Sequence, residues 1–285
     1  MMENQRLVLF ILFTFSVFML YESWQRENRP VVPVAETTNV PAGPSQTAVP
    51  VPTQPLAATP ATTAQPAPTG ALQRGDVVRV ETDLYVADIN TAGGDLRRME
   101  LLTQRDTLDK KKNFLLLQEA DHTYIAQAGL IGNGLPNHRT KFSATAGTVK
   151  LADGEKAVSI RLTAPDSGGL KVTKVYTFHR GSYVMDVGFE VENKTGGAIT
   201  PDAYFQLVRD GKAPEGDSAM LPTYTGVAAY TDREKFVKVP FTDLDKGKGD
   251  YPKKATDGWI AILQHYFLSA WLPRADAPRE YYARR

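Results

Sequence analysis

The chain has 285 residues, a formal charge of +1, 42% hydrophobic residues and no cysteine. That length leaves room for one large domain or two ordinary ones, each with a proper core. Near-neutral charge argues against nucleic-acid binding, and the lack of thiols excludes a disulfide scaffold, a thiolate zinc site, a cysteine nucleophile and a lipid-modified N-terminal cysteine.

The first element is an apolar run. Leu7 to Leu20 reads LVLFILFTFSVFML, with Thr14 and Ser16 as its only polar interruptions. Leu7, Phe10, Phe13 and Phe18 belong to a helix that inserts favourably into a bilayer, and extension to Trp24 brings it to about 27 Å at ~1.5 Å per residue. Tyr21 and Trp24 then sit at the interface, where amphipathic rings are favoured. A cleaved signal peptide needs small residues after the apolar run, and Tyr21-Glu22-Ser23-Trp24 does not supply them. The reading is an uncleaved signal-anchor over residues 1–29. Charge does not orient it, because Arg6 and the amine balance Arg26 and Arg29.

Residues 30–75 form a linker. Ten of the 19 prolines fall between Pro30 and Pro68, no aromatic residue occurs between Trp24 and Tyr85, and Glu36 is the only charge from Pro30 to Gly70. Such a segment cannot bury enough apolar surface to offset its chain entropy, so it reads as a disordered, polyproline-II-biased spacer. The 41 residues from Pro30 to Gly70 reach at most about 130 Å.

Residues 76–285 read as mainly β. Strands are expected at Val77–Val80, Leu84–Ile89, Ala157–Leu162, Ala203–Val208, Val227–Thr231 and Phe236–Phe241, with a tight turn at Thr91-Ala92-Gly93-Gly94-Asp95. The clearest hairpin joins Lys171–His179 to Tyr183–Glu192. Its first strand has Val172, Lys174, Tyr176 and Phe178 on one face, so neither face is wholly apolar. Many short strands with few helix patterns indicate a large antiparallel sandwich. Gly258–Pro273, GWIAILQHYFLSAWLP, fits either a helix face or a doubly buried strand, and periodicity leaves both open.

Catalytic constellations are absent from the sequence. His122, His138, His179 and His265 show no metal-ligand spacing, and there is no P-loop or G-x-S-x-G elbow. Gly129-Leu-Ile-Gly-Asn-Gly134 runs into Leu135-Pro136 instead of a helix, so it reads as a loop and not a phosphate cradle. Lys110-Lys111-Lys112 reads as a solvated loop, and the Asn193-Lys194-Thr195 sequon as accidental. The chain is expected to be an anchored module, not an enzyme.

The residues resemble a known family. Glu3-Asn-Gln-Arg-Leu7 leading into the apolar run and Trp24, the Pro/Ala/Thr linker, the Gly93-Gly94 turn and the Tyr176…Tyr183…Asn193 hairpin look like the YidC-type bacterial membrane protein insertases. The most specific match is Gly258-Trp259 with Gln264, Tyr266-Phe267, Ala270-Trp271 and Pro273. The resemblance implies an N-in helix in the bacterial inner membrane and a periplasmic β-supersandwich similar to galactose mutarotase. It also implies a lipid bilayer, the Sec translocon, the SecD/SecF complex and nascent inner-membrane proteins as partners, with no cofactor. The family's further transmembrane helices have no counterpart after Leu20, so the chain reads as the N-terminal part of a longer protein, cut near the end of this domain and unable to insert substrates alone. The competing reading is an anchored carbohydrate-binding or aldose-epimerase-like sandwich, which requires a histidine pair and a glutamate in one cleft.

Overall fold

A computed structural model of the chain describes residues 14–17, 19, 72–214, 216–217, 223–264, 266–274 and 277–284. Residues 14–17 and 19 are helical and exposed. The anchor residues Leu7, Phe10, Phe13, Phe18, Tyr21 and Trp24 and nearly all of the linker lie outside the described residues, as does His265. No helix among the described residues is long and apolar enough to cross a membrane.

From Val77 the chain is built of strands. The largest sheet has the order β10-β5-β3-β2-β1-β6, with β4 also on β3. Its members are β1 (Val77–Glu81), β2 (Tyr85–Asn90), β3 (Asp95–Arg105), β4 (Asn113–Leu117), β5 (Tyr124–Ile131), β6 (Gly147–Lys150) and β10 (Asp202–Arg209). A three-stranded sheet of β7 (Ala157–Thr163), β8 (Leu170–His179) and β9 (Met185–Asn193) lies against it. The two share one core. Tyr85, Ala87, Ile89, Val78 and Val80 from the first meet Ile160, Leu162, Val172, Tyr176 and Phe178 from the second. Aromatic contacts stitch the layers, with the Tyr85 and Phe178 ring centroids 6.3 Å apart.

A third sheet, β12-β11-β14-β15, comprises β11 (Thr225–Thr231), β12 (Lys235–Pro240), β14 (Trp259–Gln264) and β15 (Phe267–Trp271). One face packs on a second core of Val227, Ala229, Val239, Tyr251 and Tyr281, helped by the short helix α1 (Phe241–Asp245). A two-stranded sheet of β13 (Lys254–Ala255) and β16 (Arg279–Glu280) completes this end.

The layout bears out a mainly β, antiparallel sandwich, and adds corrections. β1 and β6 pair in parallel. Gly129–Ile131 are not loop but the end of β5, where Gly129 leaves room for Tyr204: a side chain there would meet its hydroxyl at 2.5 Å. Phe241 opens α1 instead of ending a strand. Gly258–Pro273 resolves as the β14–β15 hairpin and not a helix, because Ile262 and Phe267 must both reach the main core across a sheet. β3, β4, β5 and β6 were not anticipated. β3 hides its character by burying Asp95 and Arg97 where alternation demands apolar residues.

Candidate functional site

Two features stand out: a buried polar latch between the layers, and an open cleft where three strand edges converge.

The latch is centred on Lys174, which β8 carries on its buried face between Val172 and Tyr176 and which is 0% exposed. Its ammonium donates to the carbonyl oxygens of Ala128 at 2.9 Å and Gly93 at 3.3 Å. The Tyr176 hydroxyl donates to the Gly94 carbonyl at 2.7 Å. The Gly93-Gly94 turn therefore presents its two carbonyls to one strand of the opposite layer. Gly93 and Gly94 adopt φ of 83° and 58°, and a Cβ on Gly93 would lie 2.5 Å from the His138 carbonyl oxygen. Buried Asp95 accepts from Gln127 Nε2 at 2.8 Å and from Arg97 at 3.4 Å. Burial pushes the Lys174 ammonium down to about 8, against the pull of Asp95, and pushes the Asp95 carboxyl up. Asp95 Oδ1 and Arg97 Nε have no partner among the described residues. This is a junction that pins the two layers through buried, charge-assisted hydrogen bonds.

The cleft is open and encloses about 2220 Å³. Met185, Val187 and Phe189 of β9, Phe205 of β10, and Phe267 and Trp271 of β15 line it. Phe205 and Trp271 lie 5.1 Å apart. Phe267 stacks on Phe114 at 4.0 Å. Arg209 closes one side: its Nε donates to Gln264 Oε1 at 3.2 Å, and its guanidinium lies 5.7 Å from the Tyr124 ring centre. An open groove lined by aromatic and aliphatic side chains differs from an enclosed small-molecule pocket.

The remaining sequence-designated residues divide between the two faces of the third sheet. Gly258 has φ 83°, and a Cβ there would lie 1.9 Å from the Tyr230 carbonyl oxygen. Gln264, Phe267 and Trp271 face inward. Trp259 faces outward and stacks on Tyr230 at 6.1 Å. Tyr266 sits in the turn, 83% exposed. The Pro273 carbonyl accepts from Arg279, whose guanidinium also reaches the carbonyls of Thr256, Gly258, Arg274 and Ala277. Lys174, Asp95, Arg209 and Arg279 were not anticipated, because isolated charges in strand patterns read as solvent-facing. The one signal was Lys174 among Val172, Tyr176 and Phe178.

The three described histidines do not come together in a sugar-epimerase site. His122 approaches Asp210 at 3.4 Å, His138 approaches the Tyr204 hydroxyl at 2.5 Å, and exposed His179 approaches Asp186 at 2.7 Å. Among the described residues no cluster of histidine and carboxylates could hold a metal ion. The carbohydrate reading has no support.

Fold and cleft together define a β-sandwich with layers pinned from inside and a broad apolar groove at one edge. Residues 77–285 match the family model of the YidC periplasmic domain, and the chain belongs to that family. It is 48% identical over 299 residues to a protein of Nitrosospira multiformis, 46% over 308 residues to one of Nitrosomonas europaea, and 47% over 289 residues to one of Aromatoleum aromaticum, each called membrane protein insertase YidC. All of this chain is covered in each case, against 52%, 50% and 52% of the relative. The chain thus spans about half the length of these relatives.

Proposed function

We propose that the chain supplies the membrane anchor and periplasmic docking domain of an insertase that inserts inner-membrane proteins and assists their folding, alone or with the Sec translocon. The observation that carries this reading is the family match over residues 77–285. The insertase name of relatives aligned along the entire chain supports it. In this reading residues 1–29 form a single N-in helix anchored through Leu7, Phe10, Phe13, Phe18, Tyr21 and Trp24. Residues 30–75 are a spacer, and residues 76–285 a galactose-mutarotase-like supersandwich facing the periplasm. The domain works without catalysis or cofactor, as a docking surface for SecD/SecF, with the apolar cleft as the contact region. Phe267 and Trp271 line that surface and Gln264 holds Arg209 beside it. Gly93, Gly94, Gly258 and Pro273 fix the turns that support the layers, Trp259 stacks on Tyr230, Tyr266 is exposed in its turn, and none of the nine is a reacting group.

A depletion-rescue experiment tests it. The 285-residue chain alone should not restore growth to a strain depleted of its insertase. The same chain joined in frame to the C-terminal half of the Nitrosospira multiformis relative should. Failure of the joined protein, when made and stably inserted, refutes the reading.

A further inference from the structure

The third sheet turns one face away from both cores. Residues directly opposite on antiparallel strands share a face. The pairings Phe236↔Tyr230, Tyr230↔Trp259, Lys238↔Ala228, Ala228↔Ala261, Ala261↔Ala270 and Leu263↔Leu268 therefore place these side chains together on the outward side. Phe236 is 51% exposed and Leu268 45%, Tyr230, Trp259, Leu263 and Ala270 are half-buried, and Ala228 and Ala261 are buried among them. Tyr230 and Phe236 each bring their rings to 6.1 Å from Trp259, forming an aromatic cluster at one end, with the leucines at the other. The β8-centred sheet shows what a solvated face in this protein looks like. Its outward side carries Ser159, Arg161, Lys171, Asp186, Glu190 and Glu192, with Arg161 paired to Glu190.

The geometry points to the outward face of β12-β11-β14-β15 as a bilayer-docking surface that lays the domain on the lipid interface. Three observations favour lipid over a protein partner. The strands put no carboxylate on this face, and their one charge, Lys238, is a cation lying 4.8 Å from the Tyr224 ring centre, which complements anionic headgroups. Trp and Tyr flanked by Leu and Phe is the side-chain mixture that partitions to the membrane interface. Finally, the apolar run 7–20 and the spacer after it keep the domain within about 130 Å of the membrane, so that a weak surface acts at high effective concentration. This last point rests on the anchored reading proposed above.

The absence of cysteine makes the test direct. The full chain carrying Phe236→Cys, Leu268→Cys or, as control, Ser159→Cys is labelled with an environment-sensitive fluorophore and reconstituted in phosphatidylethanolamine/phosphatidylglycerol vesicles. Lipids bearing a headgroup-level spin label should quench positions 236 and 268 at least about twofold more than position 159. Adding Leu268→Glu should abolish the quenching at 236, while circular dichroism stays unchanged. Equal quenching at all three positions, in protein that floats with the vesicles, overturns the proposal. Protection of 236 and 268 only when purified translocon is added also overturns it, in favour of a protein-binding face. Failure to float at all refutes the anchored reading instead.

Discussion

The outward faces of the β7-β8-β9 sheet and of the β12-β11-β14-β15 sheet are alike in backbone and opposite in chemistry. The first carries Arg161, Lys171, Asp186, Glu190 and Glu192 in exposed positions. The second carries Phe236, Tyr230, Trp259, Leu263 and Leu268. Their inward faces invert the contrast. The charged-faced sheet hides an ammonium at Lys174, whereas the apolar-faced sheet packs Val227, Ala229 and Val239. Polarity along a strand thus reports alternation and not location. A lysine is inside where carbonyls wait for it, and a tryptophan is outside on a face that neither core covers.

The largest expected effect comes from emptying the charged-faced sheet's interior. Lys174→Ala should cost about 3–5 kcal/mol in urea unfolding, because Asp95 loses its nearby cation and the Ala128 and Gly93 carbonyls lose their donor. Lys174→Met with Asp95→Asn should recover much of that loss, since a neutral pair avoids the desolvation of both ions. If the double variant is no better than the single, the latch is held by packing and not by charge.

Next is Gly258→Ala, at the entry to the apolar-faced sheet. With φ at 83° and the Tyr230 carbonyl oxygen 1.9 Å from the new Cβ, it should cost at least about 2 kcal/mol. At about 2–4 °C per kcal/mol, the melting temperature should fall by at least roughly 4 °C. An unchanged melting temperature would show that the β11–β14 edge yields freely.

A smaller effect separates the two sheets by pH. Lys174 is depressed in the fold to about 8 from 10.5. Between those values the unfolded chain binds the extra proton, so stability should rise with pH there, by on the order of 1 kcal/mol per unit at most. Lys174→Met should lack this rise, as measured by urea midpoints at pH 7.5 and 9.5, while Gly258→Ala should keep it. The raised Asp95 acts in the opposite sense at acid pH: its contribution is present below the ordinary carboxylate range and is lost as pH climbs through the raised value.

The smallest effect is expected on the charged outward face. Arg161→Ala breaks a fully solvated pair with Glu190 and should leave the urea midpoint unmoved. A measurable fall would mean that this face is covered in the working protein.

Much of the sandwich was readable from local pattern. Tyr183, Met185, Val187, Phe189 and Val191 alternate cleanly, and the β8–β9 hairpin follows, although its second strand begins at Met185 and Tyr183 instead bonds Thr103 at 2.7 Å. The Gly93-Gly94 turn followed from backbone freedom alone. The cleft was not readable, since Phe189, Phe205 and Trp271 come from strands far apart in sequence that only sheet packing brings together. The block Gly258–Pro273 shows the same limit in one segment. Its residues marked the family, yet whether Trp259 and Trp271 shared a face depended on the register in which β14 pairs with β15.

What the sequence determined by itself is compositional and periodic: an apolar N-terminal run, a proline-rich segment without aromatics, a β-rich remainder, and the absence of thiol chemistry. These follow from burial preference, chain entropy and side-chain alternation, each of which acts over a few residues. Tertiary structure decided which charges went inside, which apolar residues stayed out, and where three strand edges opened a groove. Those outcomes depend on partners supplied across the fold: the carbonyls of Gly93 and Ala128 for Lys174, and a sheet face turned away from both described cores for Trp259.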